Sequence, residues 1–354
     1  MSYEVTIEPL GETIVVEEGQ TILDASLRAG IYLPHACCHG LCATCKVDII
    51  EGEVEHGEAS TFALMDFERE EGKCLVCCAT PLEDMTIEAD VDEEPDARNL
   101  PVQDFPAIVD RIEDLTPTIK GVFLKLRDGQ ELEFQAGQYV NLHIEGQDGL
   151  TRPFSIANEP QIASDIELNI RLVPGGAATN YIHEQIKVGD PVIVSGPYGR
   201  FFVRKSRETP LLFIAGGSGL SSPRSMIRDL YRENTQLPIT LVYGARNQKE
   251  LYYHSEFLEL AENHNSFSYV PALSDEPESS TWAGYRGFAH DAATQHFDND
   301  FRGLTAYLCG PPVMIDASIT ALIQGRLFER DIFLEKFLSA ADAQQVRSPF
   351  FKKF

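Results

Sequence analysis

The spacing of apolar residues changes along the chain and divides it into three patterns. Near the start, Val5 and Ile7 alternate with polar neighbours, and residues 14–16 follow a Gly-Glu turn, which predicts a hairpin. Thr21 is placed to cap a helix that Gly30 ends. A loop over 34–44 and strands near 46–50 and 86–89 complete a small mixed domain. From 105 to 205, short alternating segments (119–126, 139–144, 153–157, 166–173 and 191–195) are separated by Gly and Pro, which predicts an antiparallel barrel. From Pro210, apolar runs at 211–215, 239–243, 268–272 and 306–309 alternate with helical stretches at 223–232, 255–263 and 313–323. That rhythm predicts a parallel sheet with helices on both faces. Residues 90–101 are acidic, poor in apolar side chains and contain Pro95 and Pro101, so they read as a linker. The expected organisation is a multidomain chain with domains at 1–92, 105–206 and 207–354 and a linker at 93–104.

Composition narrows the function. With 354 residues, 43% hydrophobic and 24% charged, the chain can build several cores. Its longest apolar runs are about five residues, far short of a membrane span. Met1-Ser-Tyr-Glu-Val lacks the basic patch and apolar run of a secretory signal, so a cytoplasmic protein without a membrane partner is expected. The net charge of −26 argues against nucleic acid. It is also uneven: residues 1–94 carry 22 Asp and Glu against 4 Lys and Arg, a balance of −18, and the rest of the chain only −8. One reading is a solvated surface that maintains solubility; the other is an acidic docking face that steers a basic partner.

Seven of the eight cysteines fall between Cys37 and Cys78. In a reducing compartment such clustering points to metal or redox chemistry. Cys37-x4-Cys42-x2-Cys45 followed by a distant cysteine is the spacing of a plant-type two-iron two-sulfur site. Four thiolates must converge on two irons, and a tight loop around Gly40 presents three of them. Spacing leaves Cys74, Cys77 and Cys78 open as the fourth. A zinc ribbon from Cys42, Cys45, Cys74 and Cys77 has a 28-residue gap, longer than the roughly 15–20 usual, and leaves Cys37 idle. Buried thiols without metal are the remaining reading. Half a Rieske pattern at Cys37-x-His39 has no second half.

Four further motifs follow in order. Arg152-Pro-Phe-Ser155 opens a barrel strand, where an arginine can hold a phosphate and a small hydroxyl can lie beside a flat ring. Gly175-Gly-Ala-Ala-Thr179 opens a helix, a place for a pyrophosphate. Gly216-Gly-Ser-Gly219 lies between a buried strand and a helix, as a dinucleotide loop does. Cys309-Gly-Pro-Pro312 ends a neighbouring strand on the same sheet edge. Glu335, near the end of the last strand, is an acid without an assigned partner. The segment Tyr243-Gly-Ala-Arg-Asn247, with Lys249 beside Glu250, lacks the dense basic pocket a 2′-phosphate needs and favours NADH.

The order of these five signatures resembles the ferredoxin-reductase superfamily with an N-terminal plant-type ferredoxin domain. Nearly the whole chain is similar to the reductase components of bacterial multicomponent phenol hydroxylases, through GEASTFALMDFERE, RLVPGGAATNYIH, GPYGRFFV, FIAGGSGLSSP, AYLCGPPVMIDA and GRLFERDIF. The resemblance implies a β-grasp ferredoxin domain with a 2Fe-2S cluster, FAD on the antiparallel β-barrel and NADH on the α/β parallel sheet. It implies Cys37, Cys42, Cys45 and Cys77 as iron ligands, since Leu75-Val-Cys77 matches the family context. Arg152, Phe154 and Ser155 would lie at the flavin, and Gly175, Gly176 and Thr179 at its pyrophosphate. Gly216, Gly217, Ser218, Gly219, Gly310 and Pro311 would line the NADH site, with Ser155, Cys309 and Glu335 as the catalytic set. The implied partner is the oxygenase component, with a di-iron centre, of the same system. The reductase of a Rieske-type ring dioxygenase is the alternative, and a redox-sensing binding module is the alternative of another class. The chain departs from the family pattern in two places. Phe154 stands where the flavin motif usually has tyrosine, and Ser222 stands where the loop usually has proline, which comes one place late as Pro223.

Overall fold

The computed structural model describes residues 1–91, 94–144 and 151–337. The boundary at 92–93 and the end of the third domain, 338–354, lie outside the described residues. The chain divides into two compact units, Met1–Gln103 and Asp104–Phe354.

The first unit is a β-grasp. Its five-stranded sheet runs Glu12–Glu17, Ser2–Glu8, Met85–Glu88, Lys46–Glu51, Lys73–Leu75. The two ends of the unit's fold meet as the parallel pair Ser2–Glu8 and Met85–Glu88. Alternation turns Val5, Ile7, Ile14, Val16 and Ile87 inward, where they bury Ile22 and Leu23 of the helix Ile22–Arg28. Thr21 Oγ1 accepts from Asp24 N at 3.2 Å and caps that helix. Residues 99–102 lie back on the same unit: Val102 N donates to Leu27 O at 3.0 Å.

The second unit opens with a six-stranded antiparallel barrel in the order Thr151–Ser155, Tyr139–Ile144, Pro191–Tyr198, Gln103–Thr116, Ile119–Leu126, Asp165–Arg171. The bridge Ile156–Leu168 joins its first and last strands and closes it. Beyond it, a sheet with every pairing parallel runs Tyr285–Arg286, Phe267–Leu273, Ile239–Ala245, Leu211–Gly216, Thr305–Gly310, Ile332–Lys336. The chain moves outward from Leu211–Gly216 and then returns to its other side at Thr305–Gly310. The strand order therefore reverses between these two strands, and a crevice for a ligand opens at their carboxyl ends.

Barrel and sheet are joined by the helix Ser221–Arg232, which buries the polar Ser221, Ser222, Arg224, Ser225 and Asp229 alongside the apolar Met226, Ile227 and Leu230. Arg224 Nη1 donates to Glu167 Oε2 at 2.9 Å and to Ala157 O at 3.0 Å, both in the barrel. Arg224 also pairs with Glu256 at 3.0 Å and stacks over the Tyr253 ring at 3.8 Å. Burial opposes its charge, but the carboxylates of Glu167 and Glu256 hold its pKa above the ordinary arginine range. One turn on, Arg228 Nε lies 2.6 Å from Glu159 Oε2 and Arg232 Nη2 lies 3.0 Å from Glu159 Oε1. Removing one member strands a buried charge, which costs roughly 3–5 kcal/mol. Arg224→Ala is therefore expected to destabilise the second unit by about that amount in denaturant unfolding. A loss below about 1 kcal/mol, the scale of a surface pair, contradicts this role.

Candidate functional site

Of the four cysteines the resemblance selects, three lie on the loop before the strand Lys46–Glu51, and Cys77 follows the strand Lys73–Leu75. They form two hydrogen-bonded pairs, Cys37 with Cys42 and Cys45 with Cys77. The amides of His39 and Leu41 each reach Cys37 Sγ at 3.4 Å, and the Gly40 backbone donates to Cys77. The hydrogen bond from Cys45 draws the Cys77 thiol down to about 6. Gly40 has φ +68°, and a Cβ there would stand 2.8 Å from Cys78 Sγ and 3.0 Å from Ala59 Cα. Only glycine lets the loop approach the second cysteine segment this closely. Cys74, by contrast, is fully buried opposite Val47 in the sheet, and burial pushes its thiol up to about 12. Cys78 Sγ lies 3.6 Å from Cys77 Sγ and is likewise pushed up to about 12, by burial first and then by Cys77. Among the described residues no three His, Cys, Asp or Glu side chains are gathered to hold a single metal ion. A two-iron cluster asks for a different arrangement, two thiolates on each of two irons. Two thiol pairs with amides aimed at sulfur fit that donor set.

The second group lies in the crevice of the second unit. Ser155 ends a barrel strand, while Cys309 and Glu335 sit opposite each other on the neighbouring strands Thr305–Gly310 and Ile332–Lys336. All three meet at one atom. Glu335 Oε2 accepts from Ser155 Oγ at 3.1 Å and from Cys309 Sγ at 3.6 Å. A third donor, Ser222 Oγ at 3.0 Å, was visible in the sequence only as a missing proline. Burial pushes the Glu335 carboxyl above its ordinary range, and the three donors pull against that rise. Burial, then the Glu335 carboxylate, pushes the Cys309 thiol well up, so it is a neutral donor.

The glycine loop Gly216–Gly219 is pressed onto the next strand: a Cβ on Gly219 would stand 2.4 Å from Cys309 O. Gly216, Gly217 and Pro311 line a cavity of about 350 Å³, together with Arg171, Arg246 and His290. Arg171 and His290 carried no signal in the sequence, because each looks like an ordinary strand or helix position until the fold turns it inward. Ser218 and Gly310 flank this cavity in sequence. At the barrel, Arg152 is exposed with Nη1 donating to Thr151 O at 2.6 Å, and Phe154 packs partly into the barrel core. Gly175 has φ +74° and Gly176 caps the helix Ala177–Glu184. Thr179 Oγ1 accepts from Val173 N at 3.1 Å, so its hydroxyl shapes the turn that presents the helix amides. The open glycine turn, the cavity and the exposed arginine suit a dinucleotide and a phosphate-bearing flavin.

Three domain families match the chain: a 2Fe-2S iron-sulfur cluster binding domain over residues 5–82, an oxidoreductase FAD-binding domain over 106–203 and an oxidoreductase NAD-binding domain over 213–319. The phenol 2-monooxygenase reductase component of Pseudomonas sp. strain CF600 is 59% identical over 355 residues, covering 100% of both chains. The phenol hydroxylase P5 protein of Acinetobacter pittii strain PHEA-2 is 55% identical over 99% of both. Among solved structures, the reductase GcoB of Amycolatopsis superposes with a TM-score of 0.83 at 36% identity, covering 95% of this chain and 98% of its own.

The two cysteine environments predict opposite outcomes. Cys77→Ser is expected to bleach or distort the visible cluster absorption of the purified protein, and Cys74→Ser to leave it intact. The reverse result assigns the fourth ligand to Cys74 and removes Cys77 from the set.

Proposed function

The chain belongs to the family of phenol hydroxylase reductase components, and on that premise we propose how its residues divide the work. It is an NADH-dependent oxidoreductase with FAD-binding, NAD-binding and 2Fe-2S domains, and it serves an oxygenase partner. FAD supplies the acceptor for a hydride and the 2Fe-2S cluster a one-electron carrier; the protein supplies orientation and electrostatics.

Arg152 holds a flavin phosphate, Phe154 and Ser155 flank the ring, and Gly175, Gly176 and Thr179 present amides to the pyrophosphate. The glycine loop with Gly310 and Pro311 seats the NADH backbone. Glu335, Ser155 and Cys309 orient the nicotinamide against the flavin. The observation that carries this reading is the meeting of Ser155, from the barrel, with Cys309 and Glu335, from the sheet, at a single carboxylate oxygen. Such a junction belongs where the two cofactors must touch. Cys37, Cys42, Cys45 and Cys77 hold the cluster.

The partner is the di-iron hydroxylase component of the same system, and this chain leaves the aromatic substrate to it. Docking uses the cluster domain. Its balance of −18 over residues 1–94 suits long-range steering, since a delivery partner must also leave. Phe62 is 91% exposed on a segment tied to the cysteine loop by Ser60 N donating to Gly40 O at 3.0 Å. Leu41, Met65 and Phe67 are exposed as well. Aromatic and methionine side chains ringed by charge are the usual make-up of a small interface.

Salt separates the internal from the external steps. Screening at physiological ionic strength cuts attraction beyond about 8 Å. Across a salt series in stopped flow, transfer to the purified oxygenase is expected to slow as salt rises, while flavin reduction by NADH changes much less. A transfer rate flat with salt reduces the acidic face to a solubilising surface. A rate rising with salt means that face repels the partner.

A further inference from the structure

Ser222 is the one donor to Glu335 that neither the motifs nor the family resemblance assigns to the site. It is fully buried at the start of the helix Ser221–Arg232, and its Oγ reaches Glu335 Oε2 at 3.0 Å. Three donors on Oε2 leave no place for a proton there, so a proton taken up by Glu335 must sit on Oε1. Two of them, Ser155 and Cys309, are the groups expected to face the cofactors. Ser222 approaches from the helix that clamps barrel to sheet. We propose that Ser222 is a positioning residue for hydride transfer: its hydroxyl favours the Glu335 carboxylate over the neutral acid and keeps Oε2 where Ser155 and Cys309 donate. This rests on the reading of Ser155, Cys309 and Glu335 as the nicotinamide site.

The surroundings make the hydroxyl matter. Burial disfavours the Glu335 anion, and hydrogen bonds alone offset that cost. Among the described residues, the Cys309 thiol is the titratable side chain in contact with the carboxylate. Tyr252, close to Cys309, donates to Gly217 O at 3.1 Å and is pushed up by burial, so it is neutral too. Lys336, next in sequence, pairs with Asp316 at 2.6 Å. Arg204 and Arg207 lie over the Phe333 ring, Arg207 also pairing with Asp331. No cation is in contact with Glu335 among the described residues, and loss of one hydroxyl cannot be made good by a neighbouring charge.

The test uses the FAD-loaded, cluster-loaded protein with Ser222→Ala, Ser222→Thr, which retains the hydroxyl, and Glu335→Gln as the site control. Three quantities are measured: the pH profile of flavin reduction by NADH, the affinity for NAD⁺, and the infrared band of the protonated carboxyl that Glu335→Gln removes. A hydrogen bond to a charged group is strong enough that Ser222→Ala should move the acid limb of the profile up by about one pH unit, a tenfold smaller ionised fraction at a given acid pH. The infrared band should persist to correspondingly higher pH. NAD⁺ affinity should stay within about twofold, because Ser222 acts on the carboxylate rather than on the ligand. Ser222→Thr should keep the wild-type profile. An acid limb and band that stay in place in Ser222→Ala overturn the proposal, as does an equal displacement in both variants, which makes packing the cause. If Glu335→Gln itself leaves the rate and its pH limb as in the wild type, the assignment of the nicotinamide site fails and the Ser222 proposal falls with it. If Glu335→Gln removes the limb and Ser222→Ala does not move it, the site stands and the Ser222 proposal alone is lost.

Discussion

The arrangement of the second unit depends on the guanidinium of Arg224, buried where the barrel meets the parallel-sheet domain beside an apolar contact in which Phe201 and Val203 pack with Phe213 and Tyr307. A charge this deep is tolerable only when every donor is met, and the partners come from both sides: Glu167 and Ala157 O from the barrel, Glu256 and the Tyr253 ring from the sheet domain. Those partners are directional, so they fix the angle at which the helix Ser221–Arg232 meets the barrel as well as its distance. Ser225 and Asp229, one helical step along, add Ser225 Oγ to Asn158 O at 2.7 Å and Gln161 Nε2 to Asp229 Oδ1 at 2.8 Å. The first turn of the same helix carries Ser222, and the loop before it is the glycine loop. The clamp thereby sets where Ser155 stands relative to Cys309 and Glu335. The geometry of the proposed nicotinamide site thus depends on residues outside the set proposed to meet the cofactors.

This also explains which parts of the molecule could be read in the sequence. Barrel strands such as Ile119–Leu126 and Tyr139–Ile144 show clean alternation because one face is core. The central strands of the parallel sheet, such as Leu211–Gly216 and Thr305–Gly310, show as short apolar runs because both of their faces are buried. The long strand Gln103–Thr116 is hidden, because register shifts after Val109 and Asp114 break its alternation. The helix Ala289–His296 packs through Ala289, Ala292 and Ala293, a helical spacing made of residues too small to stand out. The helix Ser221–Arg232 is legible as a helix, but it meets the barrel through buried polar side chains such as Arg224 and Ser225, which hydropathy does not mark as buried.

The sites follow the same division. Motifs with fixed local geometry, the cysteine loop and the glycine loops, are visible as spacing. Glu335 had no partner in the sequence because its partners lie 180, 113 and 26 positions away. Ser222 stands out in the sequence only as an irregularity, and the folded chain turns it into a hydroxyl aimed at a carboxylate. Cys77 and Cys78 are neighbours in sequence and in space, and the hydrogen bond with Cys45 is what distinguishes them.

On the proposed reading, one chain takes electrons from NADH at the barrel–sheet crevice and delivers them to a cluster in its own N-terminal domain. The most direct measurement is an anaerobic NADH titration of the purified, cofactor-loaded protein followed by visible absorption. The account predicts flavin and iron–sulfur bands in the starting spectrum and bleaching of both by NADH in the absence of any partner. Bleaching of the flavin alone, with no iron–sulfur band to follow, would contradict it.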